Sequence, residues 1–298
     1  MIPPRIVVTG ATGFVGSGVV ERLAGRAEVI AVAREPREAG ASGTTVIADL
    51  GPAWTDALPG RADVVLWLAQ SRRYREFPDG AEDMFRVNES ALLAALEWAR
   101  RNGVRRFIYA STGSVYAPAR GPLTEESPVA ATSFYAATKL NGEQLARQYA
   151  SFFDVLVTRV FGVYGPGQRG MAIGRVAEAA AAGEAVTLSG GIGMELTPLY
   201  LADAIEVFAG LVDVPMPGNP LVLNVAGPET TTLASVAHEA AALAGRAPRI
   251  VEGPGEPVRL VADTRRLRAL LPGIEWHGLT AGLAATLAAR DAATQRSS

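Results

Sequence analysis

The first half of the chain is punctuated by short apolar runs without polar alternation: "RIVVT" from Arg5, "EVIAVA" from Glu28, "TTVIA" from Thr44, "DVVLWLA" from Asp63, "RRFIYAS" from Arg105 and "DVLVTR" from Asp154. A strand with one wet face alternates apolar and polar residues, so these runs belong to strands covered on both faces. Between them lie stretches with helical spacing, such as "FVGSGVVERLAG" and "AEDMFRVNESALLAALEWARRNG". Parallel neighbours need crossovers of that length, and the pattern predicts an α/β fold built on a doubly wound parallel sheet. After Gly165 the chain loosens into Gly- and Pro-rich connections, "YGPGQRG", "SGGIGMELTP", "DVPMPGNP" and "EGPGEPV". The expected division is a sheet domain over residues 1–165 and a smaller lobe over 166–298. Segments near 199–228, including "PLVLNVAG", are expected to return to the sheet.

The first strand runs into "TGATGFVGSG", which places Gly10, Gly13 and Gly16 between that strand and the first helix. Such spacing provides a tight turn, then backbone free to approach a pyrophosphate, then close packing of helix on strand, with the helix N-terminus facing the phosphates. The strand before it and the helix after it supply the context that makes this loop a dinucleotide site. The second strand ends in Ala33 and Arg34, where an acidic residue would grip the ribose diol of NAD and repel a 2′-phosphate. NADP is therefore favoured over NAD; a solvated Arg34 stacked on adenine is the competing account. Asp49, closing the third strand, is placed either to accept from the adenine amino group or to cap the next turn.

Composition removes several classes of function. A formal net charge of -2 with no long basic run leaves no footprint for nucleic acid and no polybasic segment for a membrane. No secretory leader and no membrane-spanning stretch is read in the sequence, so the expectation is a cytoplasmic protein. The absence of cysteine removes thiolate chemistry, and two isolated histidines, His238 and His277, supply no metal site. A structural role is expected for both, and no metal.

The segment "SFYAATKLNGEQLARQYA" carries Tyr135 and Lys139 one helical turn apart. Residues at that spacing share a face, and the pair is either incidental or a tuned acid.

With these features in order, the chain resembles the extended short-chain dehydrogenase/reductases, the NAD-dependent epimerases and dehydratases. The resemblance runs through "TGATGFVG", "ADL", "DVVLWLAQS", Asn88, "YASTGSVYA", "YAATK", "RVFGVYGPGQR", "LYLADA" and "VADTRRLRALL". It implies a Rossmann sheet with a smaller C-terminal substrate-binding lobe, and hydride transfer between nicotinamide and a keto or hydroxyl carbon. The substrate it implies is a nucleotide sugar, with a keto-sugar reductase first and an epimerase with retained NAD, or a reductase of a smaller carbonyl compound, as alternatives. A dinucleotide sensor without catalysis is the reading from another class, and an intact acid argues against it. Tyr135 would be the acid/base, Lys139 the cation that favours its phenolate, and Thr112 the hydroxyl on the reacting oxygen, with Ser111 one residue too early and Ser114 the fallback. Cofactor contacts are implied for Gly10, Thr12, Gly13, Phe14, Val15, Gly16, Arg34, Asp49, Leu50, Leu68, Ala69, Tyr135 and Lys139. Gly113 and Ser114 replace the Asp-Glu pair of the dehydratases. Gly162, Leu196 and the Arg-free "EGPGEP" near Gly253 replace the usual diphosphate anchors, leaving Ser114, Arg169, Arg175 and Arg259 as candidate substrate contacts. A homodimer through the helices of residues 81–103 and 133–150 is also implied.

Overall fold

The computed structural model describes residues 3–36, 42–51, 53–168 and 170–297, with side chains through 292. Strands β1 (Arg5–Thr9), β2 (Glu28–Ala33), β3 (Thr44–Ile47), β4 (Val64–Trp67), β5 (Arg106–Thr112) and β6 (Asp154–Val160) alternate with helices α1 (Gly16–Ala24), α2 (Ala81–Phe85), α3 (Ala91–Arg101) and α4 (Phe134–Gln148). The second half contributes β7 (Val163–Tyr164), α5 (Ala172–Ala182), β8 (Ala185–Ser189), β9 (Met194–Leu196), β10 (Leu199–Tyr200), α6 (Leu201–Leu211) and β11 (Leu221–Val225). It continues through β12 (Thr231–Thr232), α7 (Leu233–Leu243), β13 (Arg249–Gly253), β14 (Val258–Leu260), α8 (Arg265–Leu270) and α9 (Leu279–Ser297).

The central sheet has seven strands in the order β11-β6-β5-β4-β1-β2-β3, and every pair is parallel. Its lack of polar alternation follows from the cores on its two faces. On one side Ile6, Val8, Leu66 and Ile108 pack with Val19, Val20 and Leu23 of α1 and with Val207 and Phe208 of α6. On the other, Val7, Val65, Trp67 and Phe107 pack with Leu92, Ala95 and Leu96 of α3. The doubly wound parallel sheet is thus present. A third core joins α5, α7 and α9 over β8, with Tyr164 and Tyr200 among its members.

The chain leaves β1 for β2 and β3 on one side and for β4, β5 and β6 on the other. A crevice at the carboxyl ends of β1 and β4 is where such sheets bind ligands. The helical stretch after β4 is interrupted by a π-helical turn over Arg86–Ser90. It carries the buried Asn88, which accepts from Ser71 N at 3.0 Å and donates to Thr138 Oγ1 at 3.0 Å. One side chain so ties the loop after β4 to α4. No helix among the described residues is long and apolar enough to cross a membrane.

Candidate functional site

The glycine loop has the form its spacing implies. Gly10 adopts φ +68, where a Cβ is strained, and a Cβ there would also lie 3.0 Å from Ala69 N and Leu68 C. Gly16 is tighter still, because a Cβ would sit 2.1 Å from the Gly10 carbonyl oxygen. The loop is therefore pressed against Leu68 and Ala69 at the end of β4, and Ala69 N donates to Thr9 Oγ1 at 3.3 Å. Thr12 and Gly13 are exposed, Phe14 and Val15 half-buried. Helix α1 begins at Gly16 with no side-chain cap and no acidic residue in its first turn. Its first amides are left for an outside acceptor, and the positive end of the helix faces no carboxylate of its own. These features fit the pyrophosphate of a dinucleotide.

Along the same sheet edge, Arg34 is exposed just beyond β2. Asp49 is exposed beyond β3, and its Oδ2 accepts from Arg86 Nη1 at 3.0 Å; the same guanidinium bonds the carbonyl of the buried Leu50.

Helix α4 begins at Ser133, whose Oγ accepts from Ala136 N at 3.1 Å and caps the first turn. The helix lies close on β5 because Gly142 has no side chain: a Cβ there would be 2.1 Å from the Tyr109 hydroxyl. That hydroxyl donates to the Lys139 carbonyl at 3.2 Å. Docking in this register brings Tyr135 to the end of β5, where its phenol and the Thr112 hydroxyl share a hydrogen bond. Thr112 Oγ1 also accepts from Ser114 N at 3.2 Å, while Ser114 itself is exposed. Ser111 is occupied elsewhere, donating to Glu143 Oε1 at 2.6 Å in a buried cluster where Arg159 also pairs with Glu143 at 2.8 Å.

The titration of the pair differs from the expected tuned acid. Burial pushes the Tyr135 phenol up to about 12, against the downward pull of its bond with Thr112. Lys139 is 2% exposed, and burial pulls its ammonium down to about 7, against the upward pull of the Glu143 charge. Its Nζ lies 4.6 Å from the centre of the Tyr109 ring. Desolvation governs both groups, and the phenol holds its proton through neutral pH.

Gln70 escaped the sequence analysis. Its Oε1 accepts from the Tyr135 hydroxyl at 2.9 Å. The signal was available, since a polar residue directly after Ala69 stands at the carboxyl end of β4, beside the crevice. Tyr74 also meets Tyr135, with ring centres 5.2 Å apart.

The candidate substrate contacts are dispersed. Arg259 on β14 pairs with Glu195 on β9, because the parallel register sets those two residues opposite each other. Arg175 is exposed on α5, and Arg169 lies outside the described residues. Leu196 is buried, and a Cβ at Gly162 would lie 3.6 Å from Leu196 and 3.8 Å from Ile173, so that corner is apolar. His277 Nδ1 lies 2.5 Å from Asp203 Oδ1, joining the start of α9 to α6, and His238 is exposed on α7. Among the described residues no cluster suited to a metal ion occurs.

Comparison with known proteins agrees with this arrangement. The family model "NAD dependent epimerase/dehydratase family" matches residues 6–226. An uncharacterised UDP-glucose epimerase of Bacillus subtilis (strain 168), YtcB, is 29% identical over 62% of this chain and 60% of its own length. A dTDP-4-dehydro-6-deoxy-D-allose reductase of Streptomyces bikiniensis is 27% identical over 85% of each chain. The solved structure of MoeE5 in complex with UDP-glucuronic acid and NAD superposes with a TM-score of 0.83 at 29% identity, over 97% of this chain and 99% of that one. The solved neighbours hold NAD, and the comparisons lend no support to the NADP preference expected from Arg34. The chain belongs to the NAD dependent epimerase/dehydratase family and is an enzyme of that type.

Proposed function

We propose that this enzyme is a nucleotide-sugar epimerase that keeps its NAD, with Tyr135, Thr112 and Lys139 as its catalytic residues. The observation that carries it is the Tyr135 hydroxyl held between Thr112 and Gln70 at the carboxyl ends of β5 and β4, beside a glycine loop suited to a pyrophosphate. The dinucleotide, when bound, accepts and returns hydride. Tyr135 takes the proton from the sugar hydroxyl as the carbon is oxidised and gives it back on reduction. Thr112 donates to the reacting oxygen, and Lys139, whose charge is sensitive near neutral pH, supplies positive charge when the phenolate forms. The lobe assembled from segments after Gly165 is assigned the substrate, and residues 1–165 together with β11 the dinucleotide.

Two observations narrow the reaction. A Cβ at Gly113 would lie 2.9 Å from the Phe161 ring, so the acid that dehydration needs at that position has no room. The MoeE5 complex, similar along nearly the whole chain, supports a UDP-sugar and NAD. A second reading, the keto-sugar reductase using NADP, is favoured by Arg34 standing where no carboxylate repels a 2′-phosphate. Exposed Phe85 on α2 and Leu93 on α3 support a homodimer through these helices and α4, which light scattering on the purified protein tests.

The deciding experiment incubates the protein, as purified, with UDP-glucose, UDP-glucuronic acid and dTDP-glucose, and separates the products by chromatography. Epimer formation without added dinucleotide, with NAD released on denaturation, is the expected result. Turnover only with stoichiometric consumption of NADPH would establish the reductase instead.

A further inference from the structure

Helix α4 and the crevice leave a gap in the chemistry: a sugar nucleotide carries at least two negative charges, yet the cations expected to meet them are elsewhere. Arg259 is taken by Glu195 and Arg175 is exposed on α5. The loop after β4, "SRRYREFPDG", is rich in arginine and runs beside Tyr135. Within it Arg73 pairs with Glu76 at 2.7 Å. Arg75 has no such partner. Its Nη1 donates to the Gly170 carbonyl at 3.1 Å and its Nη2 to Met171 Sδ at 2.8 Å, and among the described residues no carboxylate pairs with it. Its Cζ lies 5.1 Å from the centre of the Tyr74 ring, and Tyr74 packs in turn against Tyr135. The guanidinium and the catalytic ring therefore flank the same aromatic side chain.

A carbonyl and a thioether are weak acceptors for a full positive charge. Phosphate and carboxylate oxygens bind the planar fork of a guanidinium in pairs, with charge assistance that neutral acceptors lack. Stacking on Tyr74 fixes the plane of the fork, so little conformational freedom is lost when an anion arrives. Tyr74 Oη also donates to Met171 Sδ at 3.3 Å, so the Gly170–Met171 segment covers both side chains. Gly170 has φ +73, a conformation natural to glycine and strained for other residues.

We propose that Arg75 is the anion anchor of the substrate site: its guanidinium exchanges the Gly170 carbonyl and the Met171 thioether for an anionic group of the sugar nucleotide, and so holds the sugar beside Tyr135. This rests on the nucleotide-sugar reading above. The anionic group is the diphosphate or a carboxylate borne by the sugar, and the two sources separate by experiment. Arg75 touches substrate without carrying a proton, so its loss raises KM and leaves kcat largely intact.

The test compares wild type, Arg75→Met and Arg75→Lys by calorimetric titration with UDP-glucose, UDP-glucuronic acid, UDP and inorganic pyrophosphate, with NAD as the control ligand. Losing one charge-assisted anion contact weakens binding roughly 10- to 150-fold. Arg75→Met is expected to lose that much, Arg75→Lys less, and NAD affinity is expected to hold in both. Equal losses for UDP-glucose and UDP-glucuronic acid identify the diphosphate; a loss confined to UDP-glucuronic acid identifies the carboxylate. Wild-type affinity of Arg75→Met for both sugar nucleotides overturns the proposal, as does an equal loss of NAD binding. If the wild type binds NAD but none of the phosphate ligands, the nucleotide-sugar reading falls and the anchor falls with it.

Discussion

Replacing Lys139 by Met should stabilise the folded protein, and more at low pH than at high. The side chain is 2% exposed, and burial brings its ammonium from the ordinary 10.5 to about 7. Below pH 7 the folded and unfolded chains both hold the proton, and the whole cost of burying the charge is present. Between 7 and 10.5 only the unfolded chain holds it, so stability rises with pH across that window. At 1.36 kcal/mol per pKa unit the full cost is ~5 kcal/mol, and attraction to the Tyr109 ring reduces it to ~3 kcal/mol. Urea melts of wild type and Lys139→Met should therefore differ by ~3–5 kcal/mol at pH 6 and by ~2 kcal/mol at pH 9, because proton release relieves the remainder. Met has nearly the same length and no charge, so packing contributes equally at both pH values and drops out of the comparison. A difference that is the same at pH 6 and pH 9 would refute the reasoning, since it would mean that Lys139 titrates alike in the folded and unfolded chains.

Tyr135→Phe keeps the ring between Tyr74 and the helix and removes only the oxygen; turnover should fall by at least ~10³-fold with NAD affinity, read by calorimetry, unchanged. Thr112→Val removes one donor to the reacting oxygen, and a loss of ~10²-fold in kcat is expected in steady-state assays, smaller than that of Tyr135→Phe. Arg34→Ala should weaken NADP more than NAD if the guanidinium meets a 2′-phosphate; equal losses in parallel titrations would leave it a surface residue. Gly142→Ala forces a methyl into the Tyr109 hydroxyl and should cost ~1–3 kcal/mol in urea unfolding, with Tyr109→Phe in the same chain restoring part of it.

The strands of the central sheet were legible because burial on both faces leaves no polar alternation, and that signal needs no knowledge of neighbours. The glycine loop was legible for a similar reason: a Cβ at Gly16 meets backbone only two turns away in sequence. The site was harder. Spacing puts Lys139 near Tyr135, but the ring that takes up its ammonium, Tyr109, comes from β5 and is set by how α4 docks. The direction in which Tyr135 titrates followed that packing rather than the spacing. Gln70 reaches Tyr135 across a sequence separation of 65, a contact that no local pattern encodes. Arg259 looked free in the sequence because its partner, Glu195, becomes its neighbour only through the pairing of β14 with β9. The two- and three-residue strands of the second half were illegible, being too short for any period to appear.

The edge strand β11 has a consequence for how the chain is made. Strand β6 is complete at Val160, yet its outer neighbour consists of Leu221–Val225, so one edge of the growing sheet stays unpaired until most of the chain has been synthesised. The exposed edge carries "DVLVTRV", an apolar segment with the unpaired amides and carbonyls that invite pairing with another molecule. The long connection from β6 to β11 makes this the slow contact of the fold. A fragment ending at Gly165 would retain the nucleotide loop and Tyr135 but present that edge permanently, and it is expected to aggregate, whereas one extended through Gly227 covers it. During biosynthesis the interval between residues 160 and 225 is thus the period in which the nascent enzyme is most exposed to misassembly.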